Sequence, residues 1–412
     1  MGKNAGLLLI TCFVFATYVS AQEIRDGDAL KMFLDCHDNI SVDYIKTELA
    51  FVNYVSDRLD ADIHILMTSQ ATAGGTKYSI DFIGLQKFEG KNETLEYVSN
   101  KTETEDEKRS GLLNTLKTGM VYYIAQTPLR NNIRVEYEEQ GLAQKDTKDK
   151  WNNWVFTLKT SGDIEGDNTT NLSSIAGYVY ADRITEGWKI TNALGAKQSV
   201  NRYNVDGNEI VSMKNSSYLD SLVVKSLTNH WSVGGYFNYA QTTYENKKYS
   251  FKLAPAIEYN ILPYREYNRK NITFLYRINW NNIEYYEETI YDKLSETLWS
   301  ESLAVSASIT QPWGSLYSTL EGSHYFHDIN KQRLSLDSGI EVRIFKGFSL
   351  AVDGSYSIIH DQLALTKGEA TTEEVLLTQK ELETTYDYDL SVSINYMFGS
   401  IYSDVVNPRF SD

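Results

Sequence analysis

From Trp151 onward, apolar and polar residues alternate with a period of two in one segment after another. In the last of these, Tyr386, Tyr388, Leu390, Val392, Ile394, Tyr396 and Phe398 fall on one face of an extended strand, and Asp387, Asp389, Ser391, Ser393 and Asn395 on the other. Leu334, Leu336, Ile340, Val342 and Ile344 oppose Ser335, Asp337, Gly339, Glu341 and Arg343 in the same way. Phe348, Leu350, Val352, Tyr356 and Ile358 oppose Ser349, Asp353, Ser355 and Ser357. The alternation predicts twelve strands, near 152–163, 173–184, 187–201, 209–226, 230–243, 247–260, 270–285, 297–311, 314–327, 331–345, 347–360 and 384–398.

The connections alternate too. Tight turns at Thr185-Glu-Gly187, Gln311-Pro-Trp-Gly314 and Phe345-Lys-Gly347 are interspersed with longer polar loops at 164–172, 284–297 and 361–383; the turn at 261–269 is long for its side. Two-faced strands with aromatic ends, short turns on one side and long loops on the other are the pattern of a transmembrane antiparallel β-barrel. Within lipid such a barrel satisfies every backbone N–H and C=O while showing the acyl chains only alternate side chains. The expected fold class is therefore mainly β, with a barrel of about twelve strands over 151–398. An even strand number places both ends, including a tail at 399–412, on the periplasmic side.

Residues 22–148 lack this pattern. Ser41 could cap a helix running to about Asp57, followed by strands at Ile63, Ile65, Met67 and at Tyr78, Ile80, Phe82, joined by Ala73-Gly74-Gly75. Thr104-Glu-Asp-Glu107 matches a capping box, and Leu112, Leu113, Leu116, Met120, Tyr123 and Ile124 form a helical stripe stopping before Pro128. Ile133, Val135 and Tyr137 predict a final strand. The order α-β-β-α-β describes a small α+β domain large enough to bury its own core. The charged run around Lys145 to Lys150 is the expected linker, and all seven tryptophans follow it.

At the N-terminus, Lys3, an apolar stretch from Leu7 to Tyr18 and Val19-Ser20-Ala21 have the layout of a cleavable secretory signal over 1–21. Without it the formal charge moves from -16 to -17, which disfavours nucleic acid as a partner. Cys12 leaves with the signal, so Cys36 has no intramolecular disulfide partner.

The amphipathic strands, closing on Ser391-x-Ser393-x-x-Tyr396-x-Phe398, together resemble the porin-like outer-membrane β-barrel proteins of Gram-negative bacteria. The resemblance implies an outer-membrane location with the N-terminal domain in the periplasm, contact with outer-membrane lipid, and recognition of the last strand by the barrel-assembly machinery. Ser393 stands where such signals favour Gly, and a tail follows the last aromatic. The element order of the N-terminal domain is similar to that of small periplasmic domains in TolB-like and curli-secretion lipoproteins, which implies a periplasmic or cell-wall partner.

On the polar face, Lys159, Arg277, Asp337, Glu341, Arg343, Asp353, Asp387 and Asp389 are candidate pore-lining residues. They could select solutes by charge, or pair across neighbouring strands and fill a small barrel. Tyr178, Tyr180, Trp188, Trp231, Trp280, Tyr396 and Phe398 are candidates for the interfacial girdles. Gly322-Ser-His-Tyr-Phe-His327 invites comparison with a lipid hydrolase, but adjacent Ser323 and His324 point to opposite faces of a strand. No spacing indicates a metal site or a cofactor, and the expectation is that the chain is not an enzyme. The leading functional expectation is a passive channel for small hydrophilic solutes. Its rivals are a non-conducting anchor that presents the N-terminal domain and, more remotely, an outer-membrane hydrolase.

Overall fold

The computed structural model describes residues 29–36, 42–134, 149–205, 208–368, 381–400 and 409. The expected signal peptide, most of the linker, part of the 361–383 loop and nearly all of the tail beyond Ser400 lie outside the described residues.

The N-terminal domain comprises β1 (Lys31–Cys36), α1 (Val42–Glu48), β2 (Asn53–Tyr54), β3 (Ile63–Ala71), β4 (Gly75–Gly84), β5 (Asn92–Asn100) and α2 (Glu105–Ile124). Its sheet runs β2-β1-β3-β4-β5, with β1 parallel to both neighbours and the other pairs antiparallel. The capping box forms: Glu107 N–H donates to Thr104 Oγ1 (3.2 Å), and Thr104 N–H donates to Glu107 Oε2 (2.8 Å). From that start α2 lays Leu112, Leu116, Met120 and Tyr123 over Ile65, Ile80 and Phe82. The chain closes against the Phe82 ring at Gly119, where a Cβ would collide with it.

The order differs from the expected one in four places. β1 precedes α1, because Met32 and Leu34 supply apolar positions to the inner strand of the sheet. Helix α1 stops at Glu48, since Asn53 and Tyr54 are drawn into parallel pairing with Lys31 and Met32. β5 was hidden by its polar, largely exposed sequence, yet it pairs with β4 from Ile83↔Asn92 to Gly75↔Asn100. Ile133 follows a 3-10 turn at Pro128–Asn132 and is not in a strand; Val135 and Tyr137 lie outside the described residues.

The second domain is the expected meander of twelve antiparallel strands. They are β6 (Trp154–Gly166), β7 (Thr170–Ile184), β8 (Trp188–Val205), β9 (Asn208–Ser226), β10 (Trp231–Thr242), β11 (Lys247–Asn260), β12 (Lys270–Tyr285), β13 (Ser295–Gln311), β14 (Gly314–Tyr325), β15 (Asp328–Phe345), β16 (Phe348–Ile359) and β17 (Tyr386–Tyr396). Each overlaps its expected range, and each pairs with its neighbours in sequence. Among the described residues no pairing joins β6 to β17, so a seam remains between the first and last strands.

The sheet inverts the burial pattern of a water-soluble fold. Asn271, Thr273, Asn279, Asn281, Ser300 and Ser302 are buried on its inner face, while Phe274, Trp299, Leu303, Leu320 and Leu334 are exposed on its outer face. Leu390 is 68% exposed and Leu158 79%. A largely apolar exterior of this extent around a hydrogen-bonded polar interior suits acyl chains, not water. The mainly-β, barrel-type sheet with a small α+β domain before it is thus the fold of this chain. No helix among the described residues is long and apolar enough to cross a membrane, which is irrelevant to crossing by strands.

Candidate functional site

Strand register assigns every barrel side chain to a face. Arg277 pairs with Ser302 and Ala256, Ser302 with Ser323, and Ser323 with Arg333. The same row logic places Asp337, Glu341, Arg343, Asp353, Asp387 and Asp389 on the inner face, together with Lys159, which stands beside Tyr178.

These residues do not share one environment. Arg277 is committed inside the lumen: it ion-pairs with Glu321, donates to Ser302 Oγ (3.0 Å), and lies over the Tyr236 ring at 5.7 Å. Asp353 accepts from the Tyr317 hydroxyl (3.3 Å). Asp337, Glu341, Asp387 and Asp389 make no ion pair with a described residue, and they form an acidic stripe on β15 and β17 beside Asp353 of β16. Arg343 is not part of the open lining. It sits at the short-turn mouth and is taken up by the N-terminal domain.

That domain lies across the mouth. Asp35 accepts two hydrogen bonds from the Arg343 guanidinium, at 2.6 and 2.7 Å, the bidentate geometry that Arg and carboxylate favour. Asp60 pairs with Lys346 (2.7 Å), and Asp57 accepts from the Gly347 N–H (2.6 Å). Four strands further round the rim, Asp81 pairs with Arg269 (2.8 Å), and Ser79 accepts from Asn268 (3.0 Å). Lys101 reaches Asp182 of β7 (3.4 Å). An acidic face thus meets a largely basic set of barrel turns. The length of the turn at 261–269 has a reason here, because it supplies Asn268 and Arg269.

Asp35 is 5% exposed and also bonds the fully buried His64 (Nε2 to Oδ2, 3.1 Å). Burial by itself would raise the Asp35 pKa; its hydrogen bonds to His64 and Arg343 outweigh that and hold it well below the ordinary carboxylate range.

Residues 361–368 fold into the long-loop mouth. Leu363 is buried in a cluster with Ile283, Tyr285 and Leu298, all from the inner face. Ile290 N–H donates to Leu365 C=O (2.9 Å), and Asn246 Nδ2 donates to the carbonyls of Glu287 (2.9 Å) and Ala364 (3.1 Å). Arg333 pairs with Asp361 (3.0 Å) where the segment leaves β16.

The girdle candidates separate by face. Trp188, Trp231, Trp280 and Tyr396 point outward; Trp231 packs on Tyr259 (4.6 Å between centroids) and Trp280 stands opposite Trp299. Phe398 follows the last strand and packs on Tyr396 (5.4 Å). Tyr178 and Tyr180 are corrected: both share the inner face with Lys159, opposite Gly195 and Ala193. Their spacing of two made them look like a girdle pair, but Val179 and Ala181 occupy the outer positions. Sequence reasoning missed Trp299 and Tyr259 as outward aromatics, although both sit in period-two stripes. It also missed Asp35, Asp57, Asp60 and Asp81, which no local pattern marks.

Ser323 lies on the inner face with Ser302, while His324 is on the outer face, where Glu301 accepts its Nε2 contact (2.9 Å) and the Tyr276 hydroxyl. The serine and histidine stand on opposite sides of the wall, so they do not form a nucleophile–base pair.

No family model matches the chain, and no curated protein matches it in sequence. Solved structures similar to it include the translocator domain of the autotransporter NalP from Neisseria meningitidis (12% identity, TM-score 0.26, 60% of this chain and 87% of that one). The NanC porin matches at 8% identity and TM-score 0.27, over 60% and 99% of the two chains. The β-domain of the Bordetella autotransporter BrkA matches at 12% and 0.24, over 60% and 98%.

Proposed function

We propose that the protein is an outer-membrane β-barrel of a Gram-negative bacterium whose lumen is shut at rest, so that the barrel anchors and holds the N-terminal domain at the periplasmic face. The observation that carries this reading is the ring of contacts from Asp35, Asp57, Asp60, Ser79, Asp81 and Lys101 to the barrel's short-turn end. Six contacts, gathered at the end of β7, the β11–β12 turn and the β15–β16 end of the barrel, leave little reason for the domain to hang free. In this reading the domain's far surface faces the periplasm, where a soluble or cell-wall partner would meet it. The barrel does no chemistry.

A second reading, passive passage of solutes, is favoured by the unpaired acidic stripe of Asp337, Glu341, Asp387 and Asp389, which suits cations more than anions. It requires the domain to leave the mouth. Conductance of the purified full chain in planar bilayers separates the two. The resting protein should show no steps above background, and the triple variant R269S/R343S/K346S should show them only if the lumen can serve as a passage. Steady, cation-selective steps from the unaltered chain would overturn the closed-barrel reading.

A further inference from the structure

Under the docked N-terminal domain the lumen keeps a cavity of about 720 Å3, within the range of about 300 to 1,000 Å3 typical of small-molecule sites. One side is the end of β3, Ser69 to Ala71, and the other is the inner wall of the barrel. Two features set this stretch of wall apart.

The first is apolar lining where the register demands the polar face. Leu222 and Val224 on β9 and Leu275 on β12 all point inward, and the Tyr236 ring lies opposite Leu222. Asn271 and Thr273 of β12 border the same cavity, so the apolar patch is bounded by polar wall, and beyond it on β12 Asn279 and Asn281 are polar again. Apolar side chains left bordering water cost free energy that an apolar occupant would recover.

The second is an unmatched cation. Two charged side chains line the cavity, Glu258 and Lys189. Glu258 accepts from the Tyr264 hydroxyl (2.8 Å), which in turn accepts from Ser232 (3.0 Å). Lys189, exposed at the edge of the cavity and beside Val224 in the register, makes no ion pair with a described residue, because Asp182, the near carboxylate on the inner face of β7, is paired with Lys101. Glu258 stands three strands away, roughly 14 Å along the sheet, too far to neutralise it.

We propose that this cavity binds a small organic carboxylate with a compact apolar body, its anionic end on Lys189 and its body against Leu222, Val224, Leu275 and Tyr236. The inference rests on the docked arrangement, because Ser69 to Ala71 complete the cavity. A ligand there also holds the domain down, since whatever binds only the docked form stabilises it by mass action.

The test uses the full chain in lipid nanodiscs with 3-phenylpropionate as probe, followed by calorimetry. Saturable binding with a Kd of about 1 mM or tighter is expected. It should weaken about tenfold or more in Lys189→Gln and for the neutral amide 3-phenylpropanamide, and be unchanged in Lys225→Gln, an outward-facing lysine over Trp188. No saturable binding, equal affinity for acid and amide, or equal loss in both lysine variants would overturn the proposal. In a ligand-free aliquot of the same preparation, zero-length carbodiimide coupling of Lys346 to Asp60 reports docking. Coupling without binding removes the carboxylate site and leaves the docked domain standing; no coupling removes both.

Discussion

The Arg343 guanidinium and the Asp35 carboxylate, 308 residues apart in sequence, meet through two hydrogen bonds on the boundary between barrel and N-terminal domain. Phe33 lies under the guanidinium at 5.3 Å, and His64 closes the far side of the carboxylate. Removing Arg343 therefore takes the cationic partner from a buried carboxylate and leaves it His64, a change that typically costs up to about 3–5 kcal/mol. R343A should release the domain, read as a loss of energy transfer between dyes on the domain and on an external loop. Replacing both partners together, as D35L/R343M, should cost much less, because no charge is left unpaired. If the double variant is as badly affected as the single one, the pair is not the principal tie.

The same carboxylate sets a pH limit. Its pKa in the docked protein is depressed below the ordinary 3.8. A depressed acid contributes stability that is complete above the ordinary value and is lost as pH falls below it toward the docked-state value. Docking, followed by energy transfer between dyes on the domain and on an external loop, should stay flat from about pH 5 to 8 and decline only below about 4. D35N should already be weakened at neutral pH and show a smaller acid step.

Within the N-terminal domain, Gly119 stands in the middle of α2, where alanine would ordinarily favour the helix by about 1 kcal/mol. Here the added methyl meets the Phe82 ring. Overpacking of this kind costs about 1–3 kcal/mol and should win. The G119A variant should therefore melt earlier, while N114A on the exposed side of the same helix should not.

The barrel strands were legible because each repeats one decision at every second residue: Leu334, Leu336, Ile340 and Val342 out, Ser335, Asp337 and Glu341 in. A pattern that redundant survives single exceptions such as Ser338. Closure of the lumen had no such signature. Asp81 and Arg269 are 188 residues apart, and nothing in the sequence around either one names the other. Strand β5 was lost for the opposite reason: its exposed face makes Asn92-Glu-Thr read as a loop, although the backbone of β4 dictates its pairing. Tyr178 and Tyr180 show where a correct stripe was assigned to the wrong side, for want of a register to Lys159.

Adjacent residues on β15 test the two faces directly. Leu336 is outward and 41% exposed, whereas Ser335 faces in, between Glu321 and Ser357. An arginine on the lipid face near mid-membrane costs about 2–4 kcal/mol, while lumen positions tolerate charge. L336R should reduce the folded, heat-modifiable species recovered from membranes, and S335R should not. Equal effects would mean that Leu336 does not meet lipid.

The seam carries the last prediction. β6 and β17 each have one neighbour, and in β17 every residue is exposed. Water can satisfy the free edges; hydrocarbon cannot, and each unpaired N–H or C=O there costs several kcal/mol. Transfer from water to a bilayer should therefore drive the two edges together, and the even strand count makes them antiparallel, as pairing in a closed meander requires. Amide hydrogen exchange in nanodiscs should then be as slow in β6 and β17 as in the doubly paired β12 and β13. In detergent too thin to mask the edges, the two terminal strands should exchange first. Persistently fast exchange of β6 and β17 in the bilayer would mean that the sheet stays open, and that something other than its own edge covers it.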